Sequence, residues 1–383
     1  MFHALGLDNP HIELDNDLVE CFSRLKGQRA IICPNHPSTN DAIVLFALSA
    51  LLSERFAFLA GRDIFGKAGS FQEHWLQKIG CYSVSRGTAD VHAFNESRHI
   101  LQENKCKLVI FPEGEISHNN AVLRRFHSGP ELIAISTLHE LRSAGNFEPV
   151  YLQPVALRYK FRSSKIHERL LHALREIEEK SGLSTSLNES LSGRLRSIYN
   201  KMIDKLPSDR MDGGFSRLCK ERIARVEEKL KKDHSSEQNL VRRVHLLMND
   251  VAELRNIGPK ETLLAEKSYV ELKRIIPFLG IAEENFEHEF SNEELADLLR
   301  PLLDEFQIST KIPMPDAVEI AGAETINVAD FLPETSIERK DKLHGLCALL
   351  RSRIEDRLEQ MVQKKAPGEE SKFGYAGKIC PHL

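Results

Sequence analysis

Between residues 30 and 160 the chain alternates short strand-like runs with helical stretches, and this alternation restricts the fold more than any other feature. Ala30–Cys33, Phe56–Ala60, Cys81–Val84, Leu108–Phe111 and Val150–Leu157 read as strands. Helical segments fill the intervals at 41–53, 71–79, 90–104 and 130–142. Parallel strands need a crossover of about a dozen residues or more between them, and a helix is the usual crossover. The expected fold class is therefore α/β, a mostly parallel sheet flanked by helices. In such a sheet, residues just past the strand ends gather where ligands bind.

Beyond Lys160 the strand signal stops. Residues 167–180 look helical, and a Ser-rich stretch at 181–192 reads as a loop. From 211 the chain is expected to be helical to its end. Leu240, Val244, Leu247, Val251 and Leu254 recur at helical spacing until Gly258-Pro259 stops them. A second helix carries Leu295, Leu299 and Leu302 behind a cap at Ser291 or Asn292, with Pro301 expected to kink it. A third runs near 339–363, and 365–383 reads as a loose tail. The expected division is an α/β domain at 1–210 and a C-terminal all-helical bundle at 211–383, whose residues name no role. The apolar stripes of these helices read as bundle core, since they lack a strongly basic face for membranes.

With 383 residues and 41% hydrophobic side chains, the chain can bury a sizeable core. A net charge of −4 argues against a nucleic-acid binder that relies on bulk electrostatics. The longest apolar run, Ala42–Leu52, is interrupted by Ser49 and too short to span a bilayer; it reads as a buried helix. The first residues lack the basic start and apolar centre of a signal peptide. Seven scattered cysteines with no CxxC pair suggest reduced thiols, and the histidines show no metal-ligand spacing, so no metal is expected. These features predict a cytoplasmic protein, peripheral at most on the inner face of a membrane.

Four segments carry chemistry. Asn35-His36-Pro37-Ser38-Thr39-Asn40-Asp41 follows the first strand. An imidazole can take and return a proton near neutral pH, and a carboxylate on its other nitrogen fixes the tautomer. Gly80–Arg86 ends in a guanidinium, the natural partner of a phosphate because its planar fork donates bidentately. Arg62, shortly after the second strand, is a candidate of the same kind, and Arg124 and Arg125 add positive potential. Phe111-Pro112-Glu113-Gly114 forms a turn in which glycine permits close backbone approach and Glu113 is expected to face the cleft. Pro154 is expected to mark a strand edge or beginning.

In this order the segments resemble the lysophospholipid/glycerolipid acyltransferase family, over roughly residues 25–160. Asn35–Asp41 matches its Asn-His-x-x-x-x-Asp block, Gly80–Arg86 the second block, Phe111–Gly114 the third and Pro154 the fourth. Arg62–Phe65 and Arg125–Gly129 are softer matches. The resemblance implies an O-acyltransferase that moves a fatty acyl group from acyl-CoA or acyl-carrier protein to a hydroxyl of a glycerol-based (lyso)phospholipid. His36 would be the base, oriented by Asp41, with no acyl-enzyme and no cofactor beyond the thioester co-substrate. Arg86 and Arg62 would anchor an acceptor phosphate, and Glu113 and Gly114 would shape its pocket.

One departure bears on the acceptor. Where the family commonly continues the third block with Thr-Arg-Ser, this chain has Glu115-Ile116-Ser117, which removes a cation and adds an anion. Loss of one charge-assisted phosphate contact costs about 1.5–3 kcal/mol, which makes acceptors other than lysophosphatidic acid more plausible. The alternative is a catalytically degenerate, acyltransferase-like lipid-binding or scaffold protein. A serine hydrolase would need a positioned nucleophile, and no GxSxG elbow is present.

Overall fold

The computed structural model describes residues 11–66, 69–117, 119–120, 122–183, 189–204, 214–280, 290–332 and 338–363. Eight strands form one sheet: β1 (His11–Leu14), β2 (Arg29–Pro34), β3 (Phe56–Gly61), β4 (Cys81–Val84), β5 (Lys107–Val109), β6 (Val150–Lys160), β7 (Ala317–Gly322) and β8 (Ile326–Asn327). Their order is β1-β7-β6-β2-β5-β3-β4, with β8 also paired to β6. From β6 to β4 all pairings are parallel, as the alternation predicts, whereas β7 and β8 run antiparallel to β6.

The connecting helices are α1 (Asn16–Arg24), α2 (Asp41–Leu51), α3 (Phe71–Lys78), α4 (Val91–Glu103) and α5 (Gly129–Ser143). Side-chain alternation in the strands splits the core in two. Ile32, Phe58 and Val109 pack with Val44, Leu45 and Leu48 of α2 on one face. Ile31, Ala57 and Leu108 pack with Ile133, Ala134 and Leu138 of α5 on the other. From β2 the chain leaves by α2 toward β3, and from the adjacent β5 it leaves by α5 toward β6 on the opposite face. The ends of β2 and β5 thus flank a switch point, where connections depart in opposite directions and leave a crevice.

The remaining helices are α6 (Ile166–Ser181), α7 (Leu191–Asp204), α8 (Gly214–Leu230), α9 (Leu240–Leu254), α10 (Pro259–Ile275), α11 (Asn292–Glu305) and α12 (Glu338–Gln363). Helices α6 to α11 share a third core, including Leu174, Leu195, Ile223, Leu247, Leu272 and Leu299. The full capping box forms at Ser291, and α11 runs on through Pro301.

Two expectations are corrected. The chain is not helical from 211 to its end: β7 and β8 return to the main sheet, and α12 places Leu350, Ile354 and Leu358 in the same core as α5. The strand signal of β7 is short, with Val318 and Ile320 alternating about Glu319, and only burial against β1 and β6 makes it a strand. Helices α6 to α11 therefore lie in the chain between two strands of one sheet. Pro154 sits inside β6, opposite Cys33 of β2. Its imide side faces the gap between the residues paired to β8 and those paired to β7, where no ladder donor is required. Finally, β1 was not anticipated. The boundary at 210 and the tail from 365 lie outside the described residues, as do residues 184–188 of the Ser-rich stretch.

Candidate active site

His36 leaves the end of β2 and Asp41 opens α2. Their side chains meet at 2.7 Å, His36 Nδ1 to Asp41 Oδ2. A carboxylate only accepts, so Nδ1 carries the proton and Nε2 keeps its lone pair. Asp41 is fully buried. Its Oδ2 also accepts from the Ser38 amide at 3.0 Å, and its Oδ1 from the Tyr159 hydroxyl at 2.6 Å. Burial, then the Asp41 charge, push the Tyr159 phenol well above its ordinary range, so it stays a donor. The His36 ring lies on Phe111, with centroids 3.9 Å apart and planes 18° from parallel. Three contacts thus fix the carboxylate and one ring fixes the imidazole. Tyr159 and the stacking role of Phe111 are the parts that sequence reasoning missed; Tyr159 carries no local signal, because only the pairing of β6 with β2 brings it beneath Asp41.

The turn after β5 serves the same loop. Glu113 accepts from the backbone N–H of His36 at 2.7 Å and of Arg124 at 3.0 Å. It contributes to the cavity wall, but its carboxylate is buried against these amides and does not face the cleft as expected. Burial raises its pKa and the two amides oppose that rise. Gly114 has φ +72°, a backbone conformation that favours glycine, and a Cβ there would stand 2.9 Å from Cδ2 of His127.

Arg86 donates to Asp63 Oδ1 at 2.6 Å and to the Gly114 carbonyl at 3.4 Å. Burial alone would raise the Asp63 carboxyl; the adjacent Arg86 guanidinium, aided by Lys273, holds it below its ordinary value. Gly61 makes room for this pair, since a Cβ at that position would lie 2.5 Å from Asp63 Oδ1 and 2.8 Å from Arg86 Nε. Arg62 is the one candidate not brought in. The 3-10 turn Arg62–Phe65 aims Asp63 inward and leaves Arg62 exposed, away from the cavity wall. Glu115, the added anion, is buried and bonded to Arg124 at 2.7 Å. Beside it His245 is buried, and burial and then Arg86 bring its pKa down to about 3. It is neutral near pH 7, so its 3.7 Å approach to Glu115 is a contact and not an ion pair.

His36, Glu113, Gly114 and Arg86 all line one cavity of about 2620 Å³, much larger than an ordinary small-molecule pocket. Its apolar arm runs along α2 and α3, past Ala42, Phe46, Ala50, Trp75 and Ile79. Helix α2 is thus apolar all round because one face packs on the sheet and another lines this arm. The polar arm is closed by helices of the chain's second half: Asn249 of α9 donates to the Arg86 carbonyl at 2.8 Å, and Arg242 to that of Gly87 at 2.9 Å. Among the described residues no group of three His, Cys, Asp or Glu side chains is placed to hold a metal ion.

An imidazole at the head of an apolar channel suits deprotonation of a hydroxyl beside a long alkyl chain. Residues 18–158 match the family model described as Acyltransferase. Among solved structures the chain is similar to the 1-acyl-sn-glycerophosphate (LPA) acyltransferase PlsC of Thermotoga maritima, at 20% identity and a TM-score of 0.27. That match covers 39% of this chain and 50% of the other, and so spans half the length of the bacterial enzyme. No curated protein matches the chain.

Proposed function

We propose that the protein moves a fatty acyl group from acyl-CoA or acyl-carrier protein to a hydroxyl of a glycerol-based (lyso)phospholipid. His36 Nε2 takes the hydroxyl proton as that oxygen attacks the thioester carbonyl. The tetrahedral intermediate collapses with cleavage of the C–S bond, and the thiolate leaves and is protonated by the imidazolium. Asp41 stabilises the transient positive charge, and no step needs an acyl-enzyme or a further cofactor. The observation that carries the proposal is the 2.7 Å His36–Asp41 contact on a cavity whose wall along α2 and α3 is apolar.

The acceptor reaches this site from a lipid surface by peripheral contact. No helix of the described residues is long and apolar enough to cross a membrane. Helix α3 buries none of its residues, leaves Phe71 83% exposed and lines the cavity with Trp75 and Leu76. Purified protein should convert an acyl thioester and one member of a lysophospholipid panel into diacyl product, read by mass spectrometry, and should sediment with phospholipid vesicles. Product in no case would favour a lipid-binding scaffold instead, and equal product from His36→Ala would reject His36 as the base. Failure to sediment would remove the membrane contact alone.

A further inference from the structure

We infer that Lys273, on α10 in the second half of the chain, forms with Arg86 a subsite for a substrate phosphate group. The proposal rests on the acyl-transfer reading above and extends it to residues outside the matched segment.

The charges around the cavity decide where an anion can sit. Arg86 is bound to Asp63, so the two are neutral as a unit. Arg124 is likewise cancelled by Glu115, and Arg242 pairs with Glu237 at 3.2 Å. His245 is neutral and Glu113 is spent on backbone amides. Lys273 remains. Among the described residues no carboxylate lies within ion-pair distance of it, although it lines the cavity and is exposed to it. Arg125 is the other uncancelled cation on this wall, and it belongs to the segment after the Gly114 turn.

Lys273 is held beside Arg86 by a connected set of contacts. Its Nζ stands 5.5 Å from the centre of the Tyr269 ring, and Tyr269 donates its hydroxyl to Asp63 Oδ2 at 3.4 Å. The opposite oxygen of Asp63 holds Arg86. Arg255 lies over the same ring at 4.5 Å and donates to the Asp63 carbonyl at 2.8 Å, which fixes α10 against the turn after β3. Crowding by protein lowers the Lys273 pKa, Asp63 raises it and Arg86 lowers it again. A bound phosphate would face a guanidinium already oriented by Asp63 and an ammonium with no closer anion, a pairing that suits charge-assisted binding. The same chemistry is offered by an acceptor head group and by the phosphates of the thioester carrier.

The test compares wild type with Lys273→Met, Lys273→Arg and Lys273→Glu. Calorimetric titration with glycerol 3-phosphate and, separately, with CoA reads binding without turnover. Lys273→Met is expected to weaken one of these ligands about tenfold or more, Lys273→Glu to weaken it further, and Lys273→Arg to keep it within about threefold. The KM for the corresponding substrate should rise by a similar factor with little change in kcat, and analogues lacking phosphate, monoacylglycerol or acyl-pantetheine, should be unaffected. The ligand weakened identifies the source. Wild-type affinity in Lys273→Met for both ligands, or no binding of either by wild type, overturns the subsite. Binding that depends on Lys273 in a protein without turnover would leave the subsite standing and reject acyl transfer.

Discussion

Asp41 offers about four lone-pair directions, and three are occupied by His36, Ser38 and Tyr159. A carboxylate so held cannot turn away from the imidazole, and its charge is stabilised without losing its hold on Nδ1. Asp41→Asn would present an amide N–H to Nδ1 and favour the other tautomer, so kcat should fall by about 10²–10⁴ with substrate binding retained. Tyr159→Phe removes one of the three bonds; a smaller fall, about tenfold, and a loss of about 1 kcal/mol in stability are expected from kinetics and urea unfolding. Equal losses for both variants would mean that Tyr159 acts on substrate directly. The pair His36–Asp41 was legible in the chain because both partners lie in one short loop. Tyr159 was not, since 118 residues separate it from Asp41. Glu131 is a second residue that only the fold explains. It is fully buried on α5 beside Cys347, and burial pushes its carboxyl up to about 7 against the opposing pull of its backbone and Cys347 hydrogen bonds. Below about pH 4.5 the folded and unfolded chains both hold the proton. As pH rises the unfolded chain ionises first, so stability falls until about pH 7, by up to about 3 kcal/mol. Glu131→Gln should therefore melt higher than wild type at pH 8, with the advantage shrinking toward pH 5. A difference that does not vary with pH would show that the carboxyl titrates normally.

Strands β2 to β6 and their crossover helices were readable because apolar runs of strand length, bounded by turns, recur between helical periods. Two elements carried misleading signals. The alternation of Val318 and Ile320 is too brief to stand out among helices, and it becomes β7 only through its pairing with β1 and β6. In α2 the apolar character spans the whole circumference, which reads as burial. The structure divides it between a packed face, with Val44, Leu45 and Leu48, and a face on the cavity, with Ala42, Phe46 and Ala50. The alanines on the second face, Ala42 and Ala50, leave room in the arm. Ala50→Phe should narrow it and lower kcat/KM for a long-chain acyl donor by about tenfold or more while sparing a short-chain donor. Equal effects on both donors would place the acyl chain elsewhere.

Across the whole molecule, the second half of the chain is joined twice to the half that carries His36 and Asp41. It returns strands β7 and β8 and helix α12 to the sheet, and it presents α9 and α10 to the polar arm. Its contribution to the site could not be read from its residues, because an apolar stripe reports a core and not what the opposite face meets. Asn249 and Arg242 hold the backbone of the Arg86 loop from α9. Asn249→Ala should raise the KM of a phosphorylated acceptor several-fold through misplacement of Arg86, with the melting temperature little changed. An unchanged KM would mean that the loop keeps its position without α9. Both halves line the cavity that His36 enters, and the most direct measurement is the release of free thiol from a long-chain acyl thioester with a lysophospholipid present. Wild type should release thiol in step with diacyl product, and His36→Ala, folded by circular dichroism, should fall to the uncatalysed rate. Thiol release by His36→Ala at the wild-type rate would contradict the assignment of His36 as the base.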